Sequence, residues 1–250
     1  EFVKTQNQNL ERHLMNYGRF NLSVADSGFD NWLDGYKLGA PNRKVSIYPD
    51  GALCMLMIDL EIIKNTDGKA SLNSVMKELY EDFALKNKGY SEDDFRNICV
   101  KFGGLKVAQI FEDHIYGTEN YIPNLKTSLE VIGLELIEKK NPNLSAQYFG
   151  FVAIMDDGKC IIKKVEPNSV TDENGIAPED EITKINEQKI EGKISDILKD
   201  CKDEVRFRIK KKFSEKTISL AIGNHYKLLE FVKKENATNK QCALRKVWES

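Results

Sequence analysis

Histidine is scarce in this sequence of 250 residues: His13, His114 and His225 are the three, and they are widely scattered. No H-E-x-x-H occurs. The five cysteines, Cys54, Cys99, Cys160, Cys201 and Cys242, never stand at C-x-x-C spacing. The usual zinc-ligand patterns are therefore missing from the chain itself. Dispersed cysteines also argue against a disulfide framework, which belongs to small secreted domains; reduced, mostly buried thiols are expected. Six prolines and 16 glycines are too few for a collagen-like or linker-rich chain. The longest unbroken apolar run, Ala52 to Ile58, falls far short of the roughly 20 residues that cross a bilayer, so no transmembrane helix and no membrane partner is expected. A basic excess is lacking too. With 37 Lys and Arg against 39 Asp and Glu, the formal charge is −2, which argues against a nucleic-acid partner. Lys210-Lys211-Lys212 reads as the solvated end of a strand.

What is present is an ordinary globular balance, 41% hydrophobic and 30% charged, enough for a real core. The sequence opens on Glu1 rather than Met and is helical in pattern from the outset, so a piece of a longer chain is expected. Asn9 to Tyr17 carries Leu10 and Leu14 four apart. Pro49 to Lys64 is apolar almost all round, the mark of a helix buried in a bundle. Ser71 can cap a helix bearing Leu72, Val75, Met76 and Leu79, and Ser91-Glu92-Asp93-Asp94 forms a capping box. Further helices are expected through Val107 to Ile115 and from Leu125 to Gly133, where glycine suits the helix end.

After Gly133 the period changes: Leu134-Glu135-Leu136-Ile137 alternates less like a helix, and Asn141-Pro142-Asn143 reads as a hinge or linker. Short β segments are expected at Phe149–Ile154, Cys160–Val165, Glu181–Ile185, Val205–Lys211 and Thr217–Ile222, with a hairpin turn at Asp156-Asp157-Gly158 and one helix at Ile194 to Cys201. The fold class expected is multi-domain α and β: an all-helical bundle over 1–140, a small β-rich unit over 141–225, and a helical tail over 226–250.

The β-rich part resembles a PDZ domain. Tyr148-Phe149-Gly150-Phe151 is similar to the family's carboxylate-binding loop, usually Gly-Leu-Gly-Phe. Val165-Glu166-Pro167-Asn168-Ser169-Val170, Asn174-Gly175-Ile176, Pro178-Glu179-Asp180-Glu181-Ile182 and Ile185-Asn186 follow in the family's order. The resemblance implies a peptide partner. Backbone N–H groups of Phe149, Gly150 and Phe151 would take its carboxylate, and the peptide would add as a strand beside Phe151 to Ile154. Tyr148 replaces the loop's first glycine and crowds that site; the alternative is a PDZ fold that only docks and binds no free peptide.

The helical part resembles the glycyl aminopeptidase family, thermolysin-like zinc peptidases with a C-terminal PDZ domain. The segments that carry this likeness are Phe29-Asp30-Asn31-Trp32, Val45 to Leu53, Gly89-Tyr90-Ser91-Glu92-Asp93-Asp94-Phe95, Tyr116-Gly117-Thr118-Glu119 and, in the tail, Asn239-Lys240-Gln241 with Leu244 to Trp248. The resemblance implies a parent protein that holds zinc through an H-E-x-x-H helix, where the first glutamate activates a metal-bound water. That segment would lie before Glu1, so this chain alone should hold no zinc and cleave no peptide. It would act as partner to the missing catalytic segment and to a peptide or protein substrate.

Tyr48 stands where related enzymes carry an oxyanion-binding tyrosine, and its phenol would stabilise the tetrahedral intermediate; otherwise it caps a buried helix. The family lysine two positions on is Asp50 here, which puts the local substrate contacts in doubt. Glu119 either engages a substrate amine or is a loop carboxylate. His114 reads as a surface or loop histidine, and Phe29 and Trp32 as pins for the preceding loop. A different class of reading stays open, a non-enzymatic PDZ-type adaptor that binds peptides.

Overall fold

The computed structural model describes residues 2–29, 40, 42–190 and 192–249. The chain forms two compact units: one joins residues 1–137 to 229–250, and the other is 138–228. No helix among the described residues is long and apolar enough to cross a membrane.

Among the described residues, the leading segment of the first unit forms α1 (Phe2–Leu14), α2 (Val24–Phe29), α3 (Ile47–Asn65), α4 (Leu72–Asp82), α5 (Glu92–Gly103), α6 (Leu105–Ile110) and α7 (Tyr121–Glu130). α3 is the central one. Leu53, Cys54, Met57, Ile58, Leu60, Ile62 and Ile63 along it are all fully buried, as its nearly continuous apolar character requires. Pro49 falls in its first turn, where a missing N–H costs nothing. Capping boxes at Ser71/Ser74 and Ser91/Asp94 start α4 and α5.

The expected helix through Val107 to Ile115 is broken. α6 ends at Ile110, and Phe111–Ile115 winds on as a π turn, with Tyr116 N–H donating to the Phe111 carbonyl at 2.9 Å. Such turns are rare and concentrate at functional places.

The tail also differs from expectation. Residues 226–250 do not form a separate helical piece. Strand β1 (Leu134–Lys139) pairs with β8 (Leu228–Lys233) in a two-stranded sheet, and the helix Asn239–Trp248 follows. That helix packs back on the first unit: Gly133, at φ +65°, would clash through any Cβ with Ala237 at 2.7 Å, and Gln241 donates to the Glu130 carbonyl. The Leu228-Leu229-Glu230-Phe231-Val232 run reads as easily as a helix as a strand. Its pairing with β1 decides it, a contact between residues far apart in sequence that local pattern does not carry.

The second unit is a sheet with small helices. Its elements are α8 (Leu144–Phe149), β2 (Phe151–Asp156), β3 (Lys159–Val165), α9 (Val170–Glu173), β4 (Glu181–Ile185), β5 (Gln188–Lys189), α10 (Ile194–Leu198), β6 (Glu204–Lys210) and β7 (Glu215–Ala221). The strands run in the order β2-β3-β4-β6-β7, with β5 against β4, and every pair is antiparallel. Phe149, Phe151 and Phe207 meet at its centre, with ring centroids 5.0–6.2 Å apart, among Ile162, Ile182, Ile185, Leu198, Val205 and Leu220.

Candidate functional site

In the first unit the polar side chains collect at the start of α3. Asp50 and His13 are each 1% exposed, and His13 Nδ1 lies 2.6 Å from Asp50 Oδ1. Both positions follow from helix geometry: His13 shares the buried face of α1 with Leu10 and Leu14, and Asp50 shares that of α3 with Leu53, Cys54 and Met57. The His13 ring stacks on Tyr121, 4.3 Å between centroids, and His114 leans on the same ring at 4.6 Å. The Tyr121 hydroxyl donates to the His114 carbonyl at 3.0 Å and lies 3.4 Å from Cys54 Sγ. The amide nitrogen of Asn124 sits 2.7 Å from His114 Nε2. This network ties α1, α3, the π turn and α7 to one another.

Burial dominates the ionisation of His13, His114, Cys54 and Tyr121, because each of these four loses more from leaving water than it regains from its partners. It lowers the pKa of His13 against the opposing pull of Asp50, and it lowers that of His114. It raises the Cys54 thiol to about 12 and pushes the Tyr121 phenol up. None of these groups is a poised nucleophile.

A pH dependence follows from the two histidines. Both have folded values below the ordinary 6.5, so the unfolded chain takes up protons first as the solution is acidified. Their contribution to stability is present above about pH 6.5 and is lost as pH falls through the lowered folded values. Helical circular dichroism should therefore melt at a lower temperature at pH 5 than at pH 7.5. A melting temperature unchanged between the two would show that the histidines are not held neutral.

Tyr48 is two residues before Asp50, about 200° around the helix. As Asp50 turns inward, Tyr48 turns outward and is 64% exposed. Glu119 is exposed on the turn that leaves the π segment, its N–H donating to the Asp113 carbonyl at 3.0 Å. Gly117, two residues earlier, is pressed against backbone: a Cβ there would meet the Glu112 and Asp113 carbonyl oxygens at 2.6 and 2.8 Å. Thus the Tyr116 to Glu119 motif holds a tight turn in place.

Two expectations are corrected. His114 is not a surface histidine; it is 1% exposed. Phe29 does not pin a loop, being 85% exposed, while Trp32 lies outside the described residues. Sequence reasoning also passed over His13, although its place between Leu10 and Leu14 was the available signal.

Among the described residues no three His, Cys, Asp or Glu side chains group closely enough to hold a metal ion. His13 Nδ1 is committed to Asp50.

In the second unit, Phe149, Gly150 and Phe151 sit together but not as an open loop. Phe149 ends α8, and it and Phe151 are core residues, 0% and 1% exposed. The Gly150 N–H turns back into the helix, donating to the Ala146 carbonyl at 3.0 Å. The Phe149 carbonyl accepts from Thr171 Oγ1 at 2.6 Å, and the Gly150 carbonyl from Glu166 N–H at 2.7 Å. Beside this lies a cleft of about 390 Å³, bounded by Ala153, Ile154 and Met155 of β2 and by Lys193, Ile194 and Ser195 at the start of α10.

Comparison with known proteins adds the following. Residues 1–54 match the model of the M61 glycyl aminopeptidase family, a span that contains Tyr48 and Asp50. No curated protein matches. Among solved structures, an aminopeptidase N family protein from Idiomarina loihiensis superposes with a TM-score of 0.80 at 21% identity, over 97% of this chain and 44% of that one. At that identity the likeness is one of fold. The chain spans less than half the length of that protein. A PDZ domain protein from Parabacteroides distasonis matches over 43% of the chain, with a TM-score of 0.27 at 21% identity.

Proposed function

We propose that this chain is the C-terminal part of a zinc-dependent aminopeptidase, in which the first unit contributes Tyr48 to the peptide-cleaving cleft and the PDZ-like second unit holds an extended peptide. The observation that carries the reading is the family match over residues 1–54, whose last helix presents Tyr48 to solvent while burying its neighbour Asp50. The metal belongs to an H-E-x-x-H segment encoded upstream. This chain's own part is a neutral phenol that donates a hydrogen bond to the carbonyl oxygen as it gains negative charge. Glu119, exposed on its rigid turn, offers a carboxylate to a substrate amine. Asp50 has no part in contacting substrate; it fixes the first turn of α3, and with it the direction in which Tyr48 points.

The test is Tyr48→Phe in the longer protein. Turnover should fall by roughly 10²–10³, with metal content unchanged. Unimpaired turnover, or loss of the metal, would sink the assignment. The upstream coding sequence is a second check, because absence of H-E-x-x-H there removes the peptidase reading altogether.

A further inference from the structure

The second unit carries a cleft whose recognition chemistry differs from that of a loop made to grip a chain terminus. A terminal carboxylate needs several backbone N–H groups aimed at one point. Here the middle donor of that set, Gly150 N–H, is bonded to the Ala146 carbonyl, because α8 runs through the segment and ends on it. The arrangement is held from several sides. Gly223 N–H and His225 N–H donate to the Tyr148 and Gln147 carbonyls, each at 2.8 Å, and Leu144 and Tyr148 pack against the core. Opening α8 to free the donor would sacrifice these contacts together.

The rest of the cleft is suited to a strand. β2 pairs with β3 on one side and is the edge of its sheet among the described residues. An unpaired edge offers a row of backbone donors and acceptors to an added chain. Ile154 and Met155 on it are 47% and 43% exposed, large apolar groups on opposite faces of the strand, and both residues line a cleft within the size range of ligand sites. Among the described residues that line it, Lys193 is the one with a charge, and no carboxylate accompanies it.

We infer that this cleft binds an internal, extended segment of a polypeptide, one that sets apolar side chains against Ile154, Met155 and Ile194 and an acidic side chain near Lys193, and that it does not require a free C-terminus. The inference rests on the peptide-holding role proposed above and specifies what is held. An occupant of this kind runs through the cleft and out at both ends, so its position along the parent chain does not matter to the contact.

The experiment uses the 250-residue chain and a library of random ten-residue segments displayed in two ways, flanked by linker on both sides or ending in a free carboxylate. Enrichment is expected in the flanked format, with alternating apolar positions and at least one Asp or Glu. A selected decapeptide made as the free acid and as the amide should bind within about two-fold of each other by fluorescence anisotropy. Ile154→Lys, at an exposed position, should weaken both forms at least ten-fold, and Lys193→Glu should remove the preference for acidic residues. Enrichment confined to the free-carboxylate format, or a ten-fold loss on amidation, overturns the inference while leaving peptide binding intact. No enrichment in either format overturns it together with the peptide-holding role.

Discussion

His13→Ala should cost the first unit about 3–5 kcal/mol, more than Asp50→Ala. The partner left behind is the Asp50 carboxylate, 1% exposed and then without its 2.6 Å contact to Nδ1. A buried hydrogen-bonding group left without its partner costs about 1–3 kcal/mol, and the cavity left by the lost imidazole, which stacks on Tyr121 at 4.3 Å, adds about 2 kcal/mol. The reverse truncation is milder. Asp50→Ala leaves a neutral imidazole, because burial holds the His13 pKa down, and an unsatisfied neutral group costs about 1–3 kcal/mol. Urea unfolding followed by helical circular dichroism measures both. An Asp50→Ala loss equal to or larger than that of His13→Ala would show that the buried imidazole ring contributes nothing beyond its hydrogen bond.

Gly150→Ala should cost the second unit roughly 2–5 kcal/mol, from two sources that can be separated. The residue has φ +77°, a conformation that adds about 1–2 kcal/mol for any residue with a Cβ. That Cβ would also stand 2.3 Å from Ser169 Cβ and 2.7 Å from its Oγ. Overpacking of this kind adds about 1–3 kcal/mol. Ser169 cannot yield easily: it is 1% exposed and its hydroxyl caps α9. Gly158 is the control, with φ +73° and nothing within 4 Å of its would-be Cβ. Gly158→Ala should show only the backbone share. Equal losses at the two positions would mean that the Ser169 contact relaxes freely.

Much of this architecture can be read in the sequence because it is local. The capping boxes at Ser71 and Ser91 form, and α3 is buried along its length as its apolar run requires. Strands β3, β4, β6 and β7 fall where period-two alternation puts them. The segment before β2 was harder, because Phe149-Gly150-Phe151 fits both a loop motif and a helix end. Asn143 decides between them by capping α8, its side chain accepting from Ala146 N–H at 3.2 Å. Residues Leu144 and Tyr148, four apart, then face the core. The partnership of His13, Asp50 and His114 was hidden for a different reason. Each looks like an isolated polar residue, and only the packing of four separate segments brings them together. For Tyr48 the sequence carries its helix and its neighbour, while its exposure comes from the opposite burial of Asp50.

The route of the chain through the two units bears on the order in which they are made. β1 and β8 are hydrogen-bonded neighbours, yet residues 140–227 separate them in the sequence. During synthesis β1 waits without its partner while that stretch is translated, which at about 5–20 residues per second takes several seconds. The inserted unit holds a self-contained sheet and core and can fold in that interval. The helical unit, although begun first, receives β8 and the Asn239–Trp248 helix last. Ribosome stalling before Leu228 should leave a folded insert attached to an unfinished host.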